Sequence, residues 1–238
     1  MLKKIVRKVF SNKTLFYPGC LNRSVTKDIS QNYQEILKKL GVEFIMIDEL
    51  GCSGGPLLDA GYKEEFEATK EKNLELFDKY GVSKIIVASP SSLKVLKQDY
   101  RLEESGIEVI HVYELLTKKI DKIKDIFKKG GAPKVTFHDS CYLGRYCGIY
   151  DGPRKLIIAA GYGLEEFPKK REHADCCGVC GGVRANFPQL AGDMAKKLLK
   201  GCKTPIIVAC SPGCYLHLKE NAGDIEVKEI SHLIRGAI

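Results

Sequence analysis

Several things are missing from this chain of 238 residues, and each absence removes a class of function. No run approaches the roughly 18 consecutive apolar residues that a membrane span needs, so no direct membrane span is expected. The opening MLKKIVRKVF (residues 1–10) is too broken by charge to be the core of a signal peptide. There is no G-x-G-x-x-G or Walker spacing, and the glycine loop 51–55 carries only a weak phosphate-binding signal. A Cys-x-x-Cys-x-x-Cys run of the ferredoxin type is absent too. The formal charge of +8 lies on lysine-rich helical faces such as 118–129. It reads as a solvated surface suited to docking an acidic redox partner rather than as a nucleic-acid patch. A cytoplasmic location follows as the expectation.

Cysteine, by contrast, is abundant: ten residues. In a reducing compartment that number argues against a disulfide scaffold and for metal or redox thiols. The densest stretch is Asp175-Cys176-Cys177-Gly178-Val179-Cys180-Gly181-Gly182. Adjacent cysteines point about 100° apart on a helix and oppositely on a strand. A glycine-rich loop instead lets both sulfurs reach one site, as a metal or cluster requires.

Short apolar runs alternate with amphipathic stretches from residue 14 onward. Strands are expected at 14–17, 42–47, 84–88 and 108–112, with helices over 26–40, 62–80 and 113–129. This is the pattern of an α/β protein with a mainly parallel sheet. After the turn-rich break Gly130-Gly131-Ala132-Pro133 the pattern starts again. KVTFHDSC (134–141) repeats KTLFYPGC (13–20), PIIVACSP (205–212) repeats KIIVASP (84–90), and DIEVKEISHLI (224–234) repeats GIEVIHVYELL (106–116). A duplicated unit of about 120 residues follows, with halves 1–130 and 131–238, each a Rossmann-like parallel-sheet unit. In such sheets the loops after the strand carboxyl ends build the site. Cys141, Cys176, Cys177, Cys210 and Cys214 all fall in such loops of the second half and are expected to converge. Five thiolates exceed the four of a structural zinc site and suit an iron–sulfur cluster better, with zinc on four of them as the alternative.

The spacing resembles the cysteine-rich CCG-domain family, which includes the B- and D-type subunits of heterodisulfide reductase and iron–sulfur subunits of glycolate, lactate and anaerobic glycerol-3-phosphate oxidising systems. The family pattern is a lone cysteine, a Cys-Cys-Gly some thirty to forty residues later, and a closing cysteine pair, usually in two copies. Here the second copy is Cys141, Cys176-Cys177-Gly178 and Cys210-Ser211-Pro212-Gly213-Cys214. The resemblance implies that these five cysteines hold one noncubane [4Fe-4S] cluster that passes electrons to a disulfide. It departs in one place: three residues separate Cys210 from Cys214 where two are usual, and the usual spacing counts back to Ser211. In the first copy Cys20 and Cys52 match, Gly51 stands for the first of the double cysteines, and Ser89 and Ser92 stand for the closing pair. Two thiols cannot hold a conventional cluster. Cys20 and Cys52 are therefore candidates for a redox-active dithiol, or for part of a substrate or partner pocket.

His138, at a strand end before Cys141, is a candidate proton donor to a thiolate leaving group, with a loop hydrogen bond as the bland reading. His173 is a weaker candidate. Arg145 and Arg154 suit either an anionic substrate or ordinary ion pairing. Cys147, Cys180 and Cys202 have no place in the family pattern. The resemblance implies an oxidoreductase subunit acting on a small thiol or disulfide, with electrons from an iron–sulfur or flavin partner subunit. Two alternatives stand beside it: an electron-transfer subunit for a flavin-dependent 2-hydroxyacid dehydrogenase, and a structural zinc protein.

Overall fold

The computed structural model describes residues 12–126 and 133–237. The break at 130–132 and the opening decapeptide lie outside the described residues. Two all-parallel sheets form. In the first half, β1 (Lys13–Tyr17), β2 (Val82–Val87) and β3 (Glu108–His111) run in the order β1-β2-β3. In the second half, β4 (Lys134–His138), β5 (Gly163–Glu166), β6 (Ile206–Ala209) and β7 (Glu226–Glu229) run in the order β5-β4-β6-β7. The strand expected at 42–47 shrinks to one parallel bridge between Ile45 and Leu15. Ile45 N–H donates to Thr14 and Ile45 C=O accepts from Phe16. Arg23 then takes the carbonyls of Asp48 and Leu50, which bends the edge segment away from the sheet. With that bridge counted, both halves share one topology. The chain leaves the first strand of each half in one direction and returns on its other side, and it is beside such a reversal that ligands bind in open α/β sheets.

The helices follow the apolar spacing. Lys27–Lys39 buries Ile29, Tyr33, Ile36 and Leu37 at the i, i+4, i+7, i+8 spacing of one face. The helix expected over 113–129 begins at Val112 and breaks into Val112–Lys118 and Ile120–Ile126.

The repeat is visible in the packing as well. The helix Val112–Lys118 lies on Asp151–Ala159 of the second half, and its counterpart Ile230–Ala237 lies on Lys27–Lys39 of the first. One apolar core joins the halves through Phe16, Tyr33, Ile36, Tyr113, Phe137, Ile157, Val208 and Leu233. Within it Glu229, only 1% exposed, accepts hydrogen bonds at 2.6 Å from the hydroxyls of both Tyr33 and Tyr113.

Candidate functional site

The end of β4 carries His138 into the interior and turns at Asp139 and Ser140 to Cys141. Arg154 fixes that turn. It is buried, donates to both oxygens of Asp139 at 2.7 and 2.8 Å, and pairs with Glu166 at 2.7 Å. Arg154 is thus an internal strut, in agreement with the ion-pairing reading. Arg145 braces the facing loop, donating to the carbonyls of Glu172 and Ala174 immediately before the double cysteine. His173 points outward, its side chain 81% exposed.

Four sulfurs neighbour one another between these struts. Cys177 donates to Cys214 at 3.3 Å, and Cys176 interacts with both Cys141 and Cys177. His138, Cys177 and Cys214 offer ligand atoms that all lie within 4.8 Å of one another, and all three are buried. Contact with Cys176 raises the Cys141 thiol and contact with Cys141 lowers Cys176. Cys177 is raised by Cys176 and Cys214, whereas Cys214 is lowered first by Cys177, against its burial, and then by His138. Gly178, at φ +88°, turns its N–H onto the Cys176 sulfur at 3.3 Å. A side chain there would strain that backbone and press on Ala191 at 3.0 Å.

Cys210 is placed differently. Its sulfur accepts from the Ser140 N–H at 3.4 Å and contacts the His138 carbonyl at 3.5 Å, and burial drives its thiol up. Strand register explains the extra residue in the closing pair. Tyr17 pairs with Val87 and His138 with Ala209, which sets Cys210 in the place of Ala88. Ser211 then corresponds to Ser89, each the residue before a helix that starts with proline.

The first half repeats this construction with other atoms. Cys20 and Cys52 have sulfurs 3.7 Å apart, matching Cys141 and Cys176. Ser53 Oγ and Ser92 Oγ are 3.4 Å apart, matching Cys177 and Cys214. Arg23 reaches the carbonyls of Asp48 and Leu50, as Arg145 reaches those of Glu172 and Ala174. Gly54, at φ +83°, matches Gly178. The expected alignment of Gly51 with the first of the double cysteines is thereby corrected by one residue: Cys52 is the first member and Ser53 the second. The arginine pair was missed in the sequence because Arg23 lies three residues beyond its cysteine and Arg145 four.

Of the remaining cysteines, Cys180 lies in the cysteine loop, its thiol pushed up to about 12 by burial and then by the charges of Cys214 and Cys176. Cys147 packs into the first-half core, and the Cys202 thiol donates to the Thr204 carbonyl. Tyr142, next to Cys141, donates to Asp59 of the first half at 2.6 Å, which ties the two halves together beside the cysteines.

Among the described residues no helix is long and apolar enough to cross a membrane. Comparison with known proteins matches the model of the CCG cysteine-rich domain twice, at residues 14–96 and 135–219. The chain is 30% identical, over 94% of its length, to the D-type subunit of the dihydromethanophenazine:CoB–CoM heterodisulfide reductase of Methanosarcina mazei. It is 30% identical over 92% of its length to the B-type subunit of the CoM/CoB fumarate reductase of Methanothermobacter marburgensis. Against the EtfAB:quinone oxidoreductase of Syntrophomonas wolfei it is 36% identical over 71% of its length. It spans 58%, 45% and 24% of those three proteins respectively. Each matched segment contains one of the two cysteine sites, and the chain belongs to the CCG cysteine-rich domain family, with the domain present twice.

Proposed function

We propose that this chain is an iron–sulfur oxidoreductase subunit of the heterodisulfide reductase B/D type, in which the second-half thiols hold a [4Fe-4S] cluster serving electron transfer to a disulfide. One observation carries the reading: Cys177 and Cys214, in sulfur contact at 3.3 Å beside buried His138, have Cys141 and Cys176 as neighbours. Soft thiolates converging from three separate segments of the chain are the donor set that an iron–sulfur cluster takes. When bound, the cluster supplies one-electron redox capacity that no side chain of this protein has. The chain's own residues do the rest. Asp139 and Arg154 hold the end of β4 rigid, Arg145 holds the facing loop, and His138 is placed to give a proton to a sulfur leaving as thiolate. The electrons come from a partner subunit carrying iron–sulfur or flavin groups, in keeping with relatives named as subunits.

The test is iron, zinc and acid-labile sulfide per chain on anaerobically purified protein. About four irons with matching sulfide are expected; about one zinc without sulfide overturns the reading in favour of a structural metal site. Paramagnetic resonance after oxidation, with and without a thiol, then separates disulfide chemistry, which gives a thiol-dependent signal, from electron transfer to a flavin dehydrogenase, which does not. Cys210→Ala decides the ligand number. If the Cys210 sulfur is the fifth ligand of a noncubane cluster, that variant loses its iron; a four-thiolate cluster keeps it.

A further inference from the structure

The first-half site lost its two inner sulfurs, at Ser53 and Ser92, and kept the two outer ones. Cys20 is exposed and Cys52 half-buried, so both are within reach of a molecule in solution. The loop between them has not relaxed. Arg23 takes the carbonyls of Asp48 and Leu50. Tyr17 takes Gly51 C=O at 2.9 Å, Asn73 takes Cys52 C=O at 2.9 Å, and Tyr100 takes Ser53 C=O at 3.0 Å. Four side chains from four separate elements therefore hold five carbonyls of one six-residue stretch. Tyr17, Asn73 and Tyr100 are themselves buried, so these bonds are part of the core rather than surface ornament. In the second half the matching Gly178 turns its N–H onto the Cys176 sulfur. The remaining donor set, two thiols and two neutral hydroxyls, is a poor one for an iron–sulfur cluster. It is a good one for a thiol pair.

We propose that Cys20 and Cys52 form a second redox site, a dithiol that exchanges reversibly with a low-molecular-weight disulfide. The roles differ between the two. Contact with the Cys20 thiol draws Cys52 down to about 6 against its burial, with the N–H groups of Gly54 and Ser53 assisting. Cys20 moves up, through its contact with Cys52 and through burial. Cys52, whose sulfur is backed by the N–H groups of Gly54 and Ser53, is the attacking sulfur. It displaces one thiolate from the external disulfide and forms a mixed disulfide. Cys20, its proton passing to a departing thiolate, then displaces the second, and the Cys20–Cys52 bond forms. The external disulfide gains two electrons and becomes two thiols; the protein dithiol loses two. Formation of the bond closes the present 3.7 Å gap between the sulfurs to about 2.05 Å.

The experiment uses the full chain, anaerobically purified, in buffers of graded reduced and oxidised glutathione. It is followed by acid quench, alkylation and mass mapping of every cysteine. The expected result is a Cys20–Cys52 disulfide that appears and disappears reversibly with the glutathione ratio. In Cys20→Ser, which removes the resolving sulfur, a Cys52–glutathione mixed disulfide accumulates; in Cys52→Ser, glutathione capture at Cys20 at pH 7 is slower by about tenfold or more. Circular dichroism confirms that both variants are folded. The proposal is overturned if Cys20 and Cys52 stay separately alkylatable across the whole range. It is equally overturned if either variant loses iron relative to wild type, since the two thiols would then be metal ligands. The glutathione result stands or falls without reference to the second-half cluster, whose presence is decided by the metal content of the wild type.

Discussion

Ser53 and Cys177 occupy equivalent places, as do Ser92 and Cys214, and the two inner pairs differ by an oxygen for a sulfur at nearly the same separation, 3.4 against 3.3 Å. The double variant Ser53→Cys, Ser92→Cys is therefore expected to rebuild a four-thiol set in the first half. Iron per chain should rise by about four after anaerobic reconstitution, and an unchanged value would show that the frame no longer accepts a cluster. Arg154 offers a second test at this scale. It is the buried counter-charge of Asp139 and Glu166, and Arg154→Met leaves two carboxylates behind. A loss of about 3–5 kcal/mol is expected by urea denaturation. Double cysteines followed by glycine announced the second-half site in the sequence. Arg154 was legible as an ion-pairing residue, but the braces Arg23 and Arg145 were not, since an arginine that holds a loop carbonyl is written no differently from one on the surface. Cys210 shows the opposite failure: a cysteine in the right neighbourhood that stands one position before Ser211, the match of Ser89, with its sulfur turned to the backbone.

The two carboxyl-terminal strands end in matched helix caps. In the first half the His111 ring accepts from Tyr113 N–H at 3.3 Å, and His111 N–H donates to Glu114 at 3.0 Å. In the second, Glu229 accepts from Ser231 N–H at 2.7 Å and its own N–H donates to the His232 ring at 3.1 Å. Histidine and acid have exchanged places between the copies while the hydrogen-bond pattern stayed. The repeat GIEVIHVYELL and DIEVKEISHLI was readable from the chain. This exchange was not, because identical geometry is carried by different residue types. It has a consequence for acid stability. Burial holds His111 neutral down to about 3, whereas in the unfolded chain it protonates near the ordinary value of about 6.5. Between those limits the unfolded state binds the extra proton, so stability falls as pH falls through the window, by about 1.4 kcal/mol per pH unit. His111→Asn keeps an acceptor at the cap and removes the titration. Urea unfolding of both proteins between pH 4 and 6 should show the steeper decline only in the wild type.

Across the whole molecule the halves are joined by exchanged helices and by a buried carboxylate. Glu229, from the second half, receives the hydroxyls of Tyr33 and Tyr113 from the first. Glu229→Gln keeps the shape but gives up one charged acceptor for two hydroxyls. A loss of about 1–1.5 kcal/mol, the difference between a charged and a neutral acceptor, is expected for each bond weakened, read as a lower thermal midpoint. The duplication and the parallel α/β class were legible because apolar periodicity and repeated strings are local. The way the halves clasp was not, because Tyr33 and Glu229 are 196 positions apart and look like ordinary helix and strand residues. The paired braces Arg23 and Arg145 bear on the life of the protein before it works. Both loops are anchored by the chain's own donors, so the cradle is finished when translation and folding are finished. On the proposed function, an inorganic core would then enter a receptacle that does not need it for shape. Stripping that core with a chelator and restoring it should be a cycle without a refolding step.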